Sequence, residues 1–378
     1  MGERVKKGFK ISRLVLQIFA EFDCERDHIM SGKLKMKQIA TQTGYSISTV
    51  SRVLSGKSYT SEKARAAIVK CARRLGVLEE MASGRLLING IAVFAPARTF
   101  TANGDTFYQE VTKGIADAVA PHDVYLSWCG LEERQADIRL FLDKTGSKHI
   151  NAIIIIGTDD PTIFKLAASL NKPCVLINSH DKEMALDAVS PDHHAIGYSA
   201  LRHLFEHGHR RVLSLTCLRR ETLYTRLEGI KQAYRDYHVP FDPAQSLIVT
   251  EGFSAHEAEQ ALEDWLTSHP RDLWPEAIFP GSSGMTVGVQ RVLARLGLRV
   301  PQDISLLTTD FGWHLSNASI TGVEVPCREL GIEAVHLLQT RLNRPQAPIF
   351  NLLLQGKVRE AGSVISATRH MARAAISP

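Results

Sequence analysis

From Gly90 onward the chain alternates short apolar runs with amphipathic stretches, and this rhythm limits what it can fold into more than any other feature. Ile91–Ala95, Val124–Trp128, Ala152–Ile156 and Cys174–Ile177 have the length and composition of buried strands. Val111–Val119, Ile138–Leu142 and Ile163–Leu170 between them repeat apolar residues at helical spacing. Strands separated by helices require crossover connections, which predicts a parallel sheet covered on both faces. The rhythm then restarts. Helix Ile196–Glu206, stopped at Gly208, leads to strand Val212–Thr216, helix Arg226–Tyr237 and strand Ser246–Thr250. Helix Ala255–Leu266, strand Ala277–Phe279, helix Met285–Leu296 and strand Ile304–Thr308 complete the second round. About 290 residues hold two cores of ordinary size, so the expectation is a two-lobed α/β clamshell with its ligand cleft at the carboxyl ends of the strands.

The stretch ahead of this region asks for different chemistry. In Met36–Leu54, Ile39 and Ala40 lie on the apolar face of a short helix, Gly44 permits a tight turn, and Ser46 can cap the next helix. In that helix Val50, Val53 and Leu54 form the inward stripe, leaving Ile47, Ser48, Ser51 and Arg52 on the opposite face. Arginine bonds guanine bidentately, serine serves a base or a phosphate, and isoleucine packs on a thymine methyl. Thr49, Lys37 and Lys57 complete the expected DNA-contact set. A third helix follows, capped by Thr60 or Ser61, with Ala64, Ile68, Val69 and Ala72 on its buried side.

Charge separates this module from an ordinary three-helix bundle. Between Lys33 and Arg74 there are ten lysines and arginines against one acid, Glu62, whereas the whole chain carries a formal charge of only +5. The remainder is therefore net acidic, and the basicity is confined to the segment that would face phosphates.

The run Gly44-Tyr-Ser-Ile-Ser-Thr-Val-Ser-Arg-Val-Leu-Ser-Gly-Lys57, followed by the stretch 61–76, resembles the DNA-binding headpiece of the lactose-repressor (LacI/GalR) family. The later chain resembles the same family. Its matching motifs are Asp192–Gly197 leading to Gly208–Val212, Arg226 with Gly229, Val300–Ser305 followed by Asp310, Val325-Pro326 through Gly331, then Arg359 and Gly362-Ser363. The resemblance implies an all-α helix-turn-helix headpiece joined to a periplasmic-binding-protein-like clamshell. The domains expected are a headpiece at 33–76, a linker at 77–89 and the two-lobed part at 90–378. Lobe 1 is expected at about 90–190 and 322–345, and lobe 2 at about 191–321 and 346–378.

Two segments depart from a plain member of that family. Residues 1–32 carry Ile11, Leu14, Val15, Ile18, Phe19 and Phe22 at helical spacing behind a basic start. An amphipathic appendage and an initiator at Met30 or Met36 both fit. A secretory signal does not, because Arg13 and Gln17 interrupt the apolar run. The linker Val77–Asn89 is shorter than the family's hinge and lacks its proline. Met81, Leu86 and Leu87 stand as candidate minor-groove wedges, beside the plain reading of a tether with core-facing residues.

Carried over position by position, the family's pocket implies ligand roles for Asn178, Arg220, Thr222, Arg226, Phe253 and Asp310. Arginine grips planar anions and aspartate accepts from hydroxyls. From the residues alone, Arg226 also suits a helix-start salt bridge and Asp310 a turn, and Phe253 suits a core position as well as a ligand wall. Where many relatives have Asn-Asp, this chain reads Gly281-Ser282-Ser283. Its first-lobe loop offers Phe100, Asp105, Phe107 and Tyr108 in place of the usual Asn-Pro-Phe-Phe. Ser282 and Phe107 join the candidate effector set on that basis.

Enzymatic signatures are missing: there is no nucleophile elbow, P-loop or dinucleotide fingerprint. The six cysteines lie far apart and read as reduced thiols. His193-His194 and His207-x-His209 lack a carboxylate at ligand spacing, so no metal and no cofactor is expected. No apolar run reaches membrane-spanning length. The sequence thus predicts a cytoplasmic, ligand-responsive DNA-binding regulator, by resemblance a repressor. It would act as a homodimer on a near-palindromic operator, with no leucine-heptad tail for tetramers. The same reading without an effector stands beside it. A solute receptor sharing the clamshell is disfavoured by the headpiece.

Overall fold

The computed structural model describes residues 34–55, 60–75, 86–101, 106–133, 135–309 and 320–367. Lys57, Asp310, Asp105, Met81 and the segment 1–33 lie outside them. The chain divides into two compact units, one of Met1–Asn89 with Leu342–Pro345 and the other of Gly90–Arg341 with Gln346–Pro378. Among the described residues, no helix is long and apolar enough to cross a membrane.

Among the described residues the first unit holds three helices: α1 (34–43), α2 (Ile47–Leu54) and α3 (Glu62–Arg74). Gly44 adopts φ +73°, the left-handed turn expected of it, and its N–H closes α1 by bonding Ala40 O at 2.9 Å. Ser46 caps α2, and of the two candidates for α3 it is Ser61 that accepts from Ala64 N, at 3.3 Å. Ile39, Val50, Val53, Leu54, Ile68 and Ala72 form the core. Val69 is only partly buried at its edge. Leu87 is 5% exposed within the same core, so this candidate wedge is a packed residue of the headpiece.

The second unit contains two six-stranded sheets. Its elements run β1 (Gly90–Ala95), α4 (Thr106–Val119), β2 (Tyr125–Gly130), α5 (Ile138–Gly146), β3 (Ala152–Ile156), α6 (Pro161–Ser169), β4 (Cys174–Ile177) and β5 (Asp187–Pro191). There follow α7 (His193–Glu206), β6 (Val212–Cys217), α8 (Glu221–Asp236), the short α9 (Pro243–Ser246), β7 (Leu247–Thr250), α10 (Ala255–Ser268), β8 (Ala277–Pro280), α11 (Ser283–Arg295) and β9 (Ser305–Thr309). The last are β10 (Thr321–Glu324), α12 (Cys327–Asn343), β11 (Asn351–Leu354) and β12 (Lys357–Arg359). The first sheet has the order β11-β5-β4-β3-β1-β2 and the second β12-β10-β9-β8-β6-β7. All pairings are parallel except β10 with β12. β1, β3 and β4 are buried at every position, as central parallel strands with helices on both faces must be.

The lobe boundaries differ from those expected. β10 belongs to the second sheet and β11 to the first, so 322–324 lie in lobe 2 and 351–354 in lobe 1. The chain passes between lobes after β5, after β10 and after β11. Hydrophobic pattern cannot show this, because strands of three to five residues carry almost no periodicity and sheet membership is decided by pairing.

α7 and α8 meet without side chains between them. A Cβ on Gly197 would stand 2.3 Å from Arg226 O, and one on Gly229 would stand 2.0 Å from His194 O. Only glycine permits this approach, which brings the Arg226 side chain of α8 to the first residue of α7, His193.

Candidate functional site

In the headpiece, Ile47, Ser48, Ser51 and Arg52 are exposed while Val50, Val53 and Leu54 of the same helix are buried. Ser46 Oγ accepts from Thr49 N at 3.1 Å and lies 2.9 Å from both Ser48 Oγ and Thr49 Oγ1, so the first turn of α2 presents a cluster of hydroxyls. Ile47 is 48% exposed on that turn, an apolar side chain with no core to enter. Lys37 is exposed on α1 and Thr49 half-buried. α2 thus offers, on its outer face, one apolar group, hydroxyls that donate or accept, and one guanidinium. These are the contact types that base edges and phosphates require.

In the second unit a cleft of about 710 Å³ opens between the lobes. Seven of the eight effector candidates, Phe107, Asn178, Arg220, Thr222, Arg226, Phe253 and Ser282, line it. The eighth, Asp310, follows β9 outside the described residues.

Arg220 precedes α8 and is 3% exposed. Its Nε and one terminal nitrogen donate to the two carboxylate oxygens of Asp159 at 3.2 and 3.1 Å. Its remaining donors reach Tyr108 Oη and the backbone oxygen of Asn178. Arg220 comes from lobe 2 and all three partners from lobe 1. Burial works against its charge, but Tyr108 and Asp159 more than offset that, and its pKa is raised above the ordinary arginine value.

A second chain of bonds starts at Arg226, also 3% exposed. Its Nη1 donates to Gly281 O at 2.8 Å, and its Nε and Nη2 approach His193 Nδ1 at 3.3 and 3.1 Å. A guanidinium only donates, so Nδ1 accepts and the imidazole proton sits on Nε2. Nε2 then donates to Asn178 Oδ1 at 2.8 Å, and Asn178 Nδ2 donates to Tyr108 Oη at 3.3 Å. Burial, then the charges of Arg226 and Arg220, hold His193 well below the usual imidazole pKa, so it is neutral. Asn178, at the end of β4, takes φ +50°, a left-handed conformation that asparagine tolerates.

Ser282 occupies the N-cap of α11, where its Oγ accepts from Met285 N at 3.2 Å. The hydroxyl at the departure from Asn-Asp is therefore engaged in capping. Phe253 stacks beneath the Arg219 guanidinium, 5.7 Å from its ring centroid, and Phe107 sits edge-on to Tyr108. Arg219 and Arg98 both pair with Glu133.

The sequence reading missed His193 as a site residue, along with Asp159, Glu133, Arg219 and Arg98. Asp159 and Glu133 follow the carboxyl ends of β3 and β2, the same placement that singled out Asn178 after β4, so a signal was present for them. In the sequence, the His193-His194 pair suggests only a metal ligand. His193 serves as a neutral bridge between an arginine and an asparagine instead. His207 faces His203, one helical turn earlier.

Comparison with known proteins agrees with this anatomy. Residues 35–77 match the model of bacterial regulatory proteins of the lacI family, and residues 201–364 match that of a periplasmic binding protein-like domain. The chain is 28% identical over 312 residues to the HTH-type transcriptional repressor CytR of Escherichia coli (strain K12), covering 80% of this chain and 88% of that one. It is 26% identical over 336 residues to the ribose operon repressor of the same organism, covering 87% and 99%. Among solved structures, a complex of the transcriptional regulator CelR with cellobiose aligns with TM-score 0.64 at 20% identity, covering 87% of this chain and 99% of that one. An Enterococcus faecium LacI family regulator with bound ribose aligns with TM-score 0.61 at 22% identity, covering 74% and 99%. With a headpiece that matches the lacI model, a periplasmic binding protein-like domain behind it, and repressors as its relatives along most of its length, this chain carries a lacI-family DNA-binding domain and is homologous to LacI-family repressors.

Proposed function

We propose that the protein is a cytoplasmic repressor that binds a near-palindromic operator as a homodimer and is controlled by a small polar effector held between its lobes. The observation that carries this reading is the cleft. It gathers buried arginines, an asparagine, two threonines and three aromatic side chains around a volume suited to a small metabolite. That donor set suits a hydroxylated, sugar-like molecule or another polar metabolite, with aromatic faces for its apolar side. Relatives named for ribose and structures holding ribose or cellobiose agree with that class.

The effector works by preference between lobe arrangements. Whatever free energy it gains in one arrangement over the other is the most it can transmit to DNA affinity, and no more. On the DNA side, Arg52, Ser51, Ser48, Thr49 and Ile47 read bases or adjacent phosphates, and Lys37 and Lys57 supply charge to the backbone. Dimer symmetry would place two such helices in successive major grooves.

A second reading, a regulator without a small-molecule effector, is favoured by one observation. Arg220 is satisfied across the cleft by Asp159, Tyr108 and Asn178, so its guanidinium is committed within the chain. Thermal-shift screening of the purified protein against mono- and disaccharides, nucleosides and sugar phosphates separates the two. A stabilising ligand that also changes operator affinity supports effector control. Stabilisation by none, with operator binding intact, supports the second reading.

A further inference from the structure

His203 and His207 stand one turn apart at the end of α7, so their rings project from the same face, with centroids 4.3 Å apart. Glu360, directly after β12, completes a cluster in which one ligand atom from each of the three residues lies within 4.8 Å of the others. None of the three lines the interlobe cleft. We propose that His203, His207 and Glu360 form a transition-metal site in lobe 2, with Zn²⁺ as the ion it suits best.

Two independent features point to a ligand. His207 Nδ1 donates to the backbone oxygen of His203 at 2.8 Å, which leaves its Nε2 carrying the lone pair. Metal-binding histidines are oriented by this kind of bond from the second ring nitrogen. His203 is 8% exposed, and its Nε2 is buried with no hydrogen-bond partner. Buried polar atoms without partners are uncommon, and a metal ion would satisfy this one.

The donor set selects the ion. Two imidazoles and one carboxylate suit Zn²⁺ and its first-row neighbours, whereas Mg²⁺ and Ca²⁺ prefer oxygen ligands throughout. Zn–N and Zn–O bonds of about 2.0–2.2 Å place tetrahedral donors roughly 3.4 Å apart, within the 4.8 Å spacing of the three ligand atoms. Glu360 is exposed, so the fourth position opens to water. The ion would join the last turn of α7 to the end of β12, a three-residue strand at the edge of the second sheet. Its role is that of a staple for the C-terminal edge of lobe 2.

The test uses chelator-stripped full-length protein, Zn²⁺ competition against a chromophoric chelator, and thermal melts with Zn²⁺ or Mg²⁺. The expected result is one equivalent of Zn²⁺ per chain with micromolar or tighter affinity and a rise in melting temperature that Mg²⁺ does not reproduce. That equivalent weakens at least tenfold in His207→Gln and in Glu360→Gln, while both keep the wild-type far-ultraviolet circular dichroism. Both positions are at least partly exposed, so the variants retain the core. Co²⁺ loaded on the unaltered protein gives visible absorption typical of a four-coordinate site, a readout that needs no variant. Absence of both the Zn²⁺ equivalent and the Co²⁺ bands, or Zn²⁺ binding unchanged in both variants, overturns the proposal.

Discussion

Arg220 grips both carboxylate oxygens of Asp159 across the interlobe cleft, at 3.2 and 3.1 Å, with their side chains 4% and 13% exposed. The pair ties the residue before α8 in one lobe to the loop after β3 in the other. Removing one partner leaves a largely buried charge. Arg220→Ala should therefore destabilise the second unit by about 3–5 kcal/mol, and Arg220→Ala with Asp159→Asn by clearly less than Arg220→Ala alone. Urea unfolding of the two variants checks this, and equal losses would mean that the charge of Asp159 is not what the arginine compensates.

His193 makes stability depend on pH in one direction. Its folded pKa is depressed, so below about 6.5 the unfolded chain takes up a proton that the folded chain refuses. The contribution of this residue is present above that pH and is lost as pH falls, at about 1.4 kcal/mol per pH unit for one proton. Melts from pH 7.5 to pH 5 should fall more steeply for the native sequence than for His193→Gln. The substitution cannot titrate, and it keeps a donor and an acceptor beside Arg226 and Asn178.

Two glycines predict costs of different size. At Gly229 a Cβ meets backbone, His194 O at 2.0 Å, so Gly229→Ala must push α7 and α8 apart. It should cost about 1–3 kcal/mol or more and displace Arg226 from His193. At Gly44 nothing lies within 4 Å, and Gly44→Ala bears only the left-handed φ, about 1–2 kcal/mol confined to the headpiece. Denaturation followed separately in the two units distinguishes them.

On DNA, Arg52 and Lys37 should fail differently. Arg52→Ala should relax preference at about one base pair per half-site, worth about 1–3 kcal/mol there. Lys37→Ala should weaken all DNA alike and lower the slope of log affinity against log salt by about 1. Binding to operator variants at several salt concentrations checks both, and a uniform loss for Arg52→Ala would remove it from base recognition.

The fold was legible where the sequence repeats a pattern long enough to read. Ala152–Ile156 and Cys174–Ile177 are strands over the ranges expected, and α2 buries the stripe its spacing predicted. Short or polar elements were not legible. β5, with Asp187, Ser190 and Pro191 among its five residues, looks like a loop until β4 and β11 pair with it. In the site, the motif positions pointed to Arg220, Arg226 and Asn178, but not to the partners that hold them. A motif marks which residues recur, whereas Asp159 and His193 become partners only when strand ends and helix starts from both lobes converge.

Selection from a random DNA library with the purified full-length protein, at a fixed and stated salt concentration, tests the central claim most directly. A dimeric reader should enrich one near-palindromic site whose half-sites are spaced for a dimer, bound far more tightly than bulk DNA. Recovery of sequences no different from the starting library would contradict it.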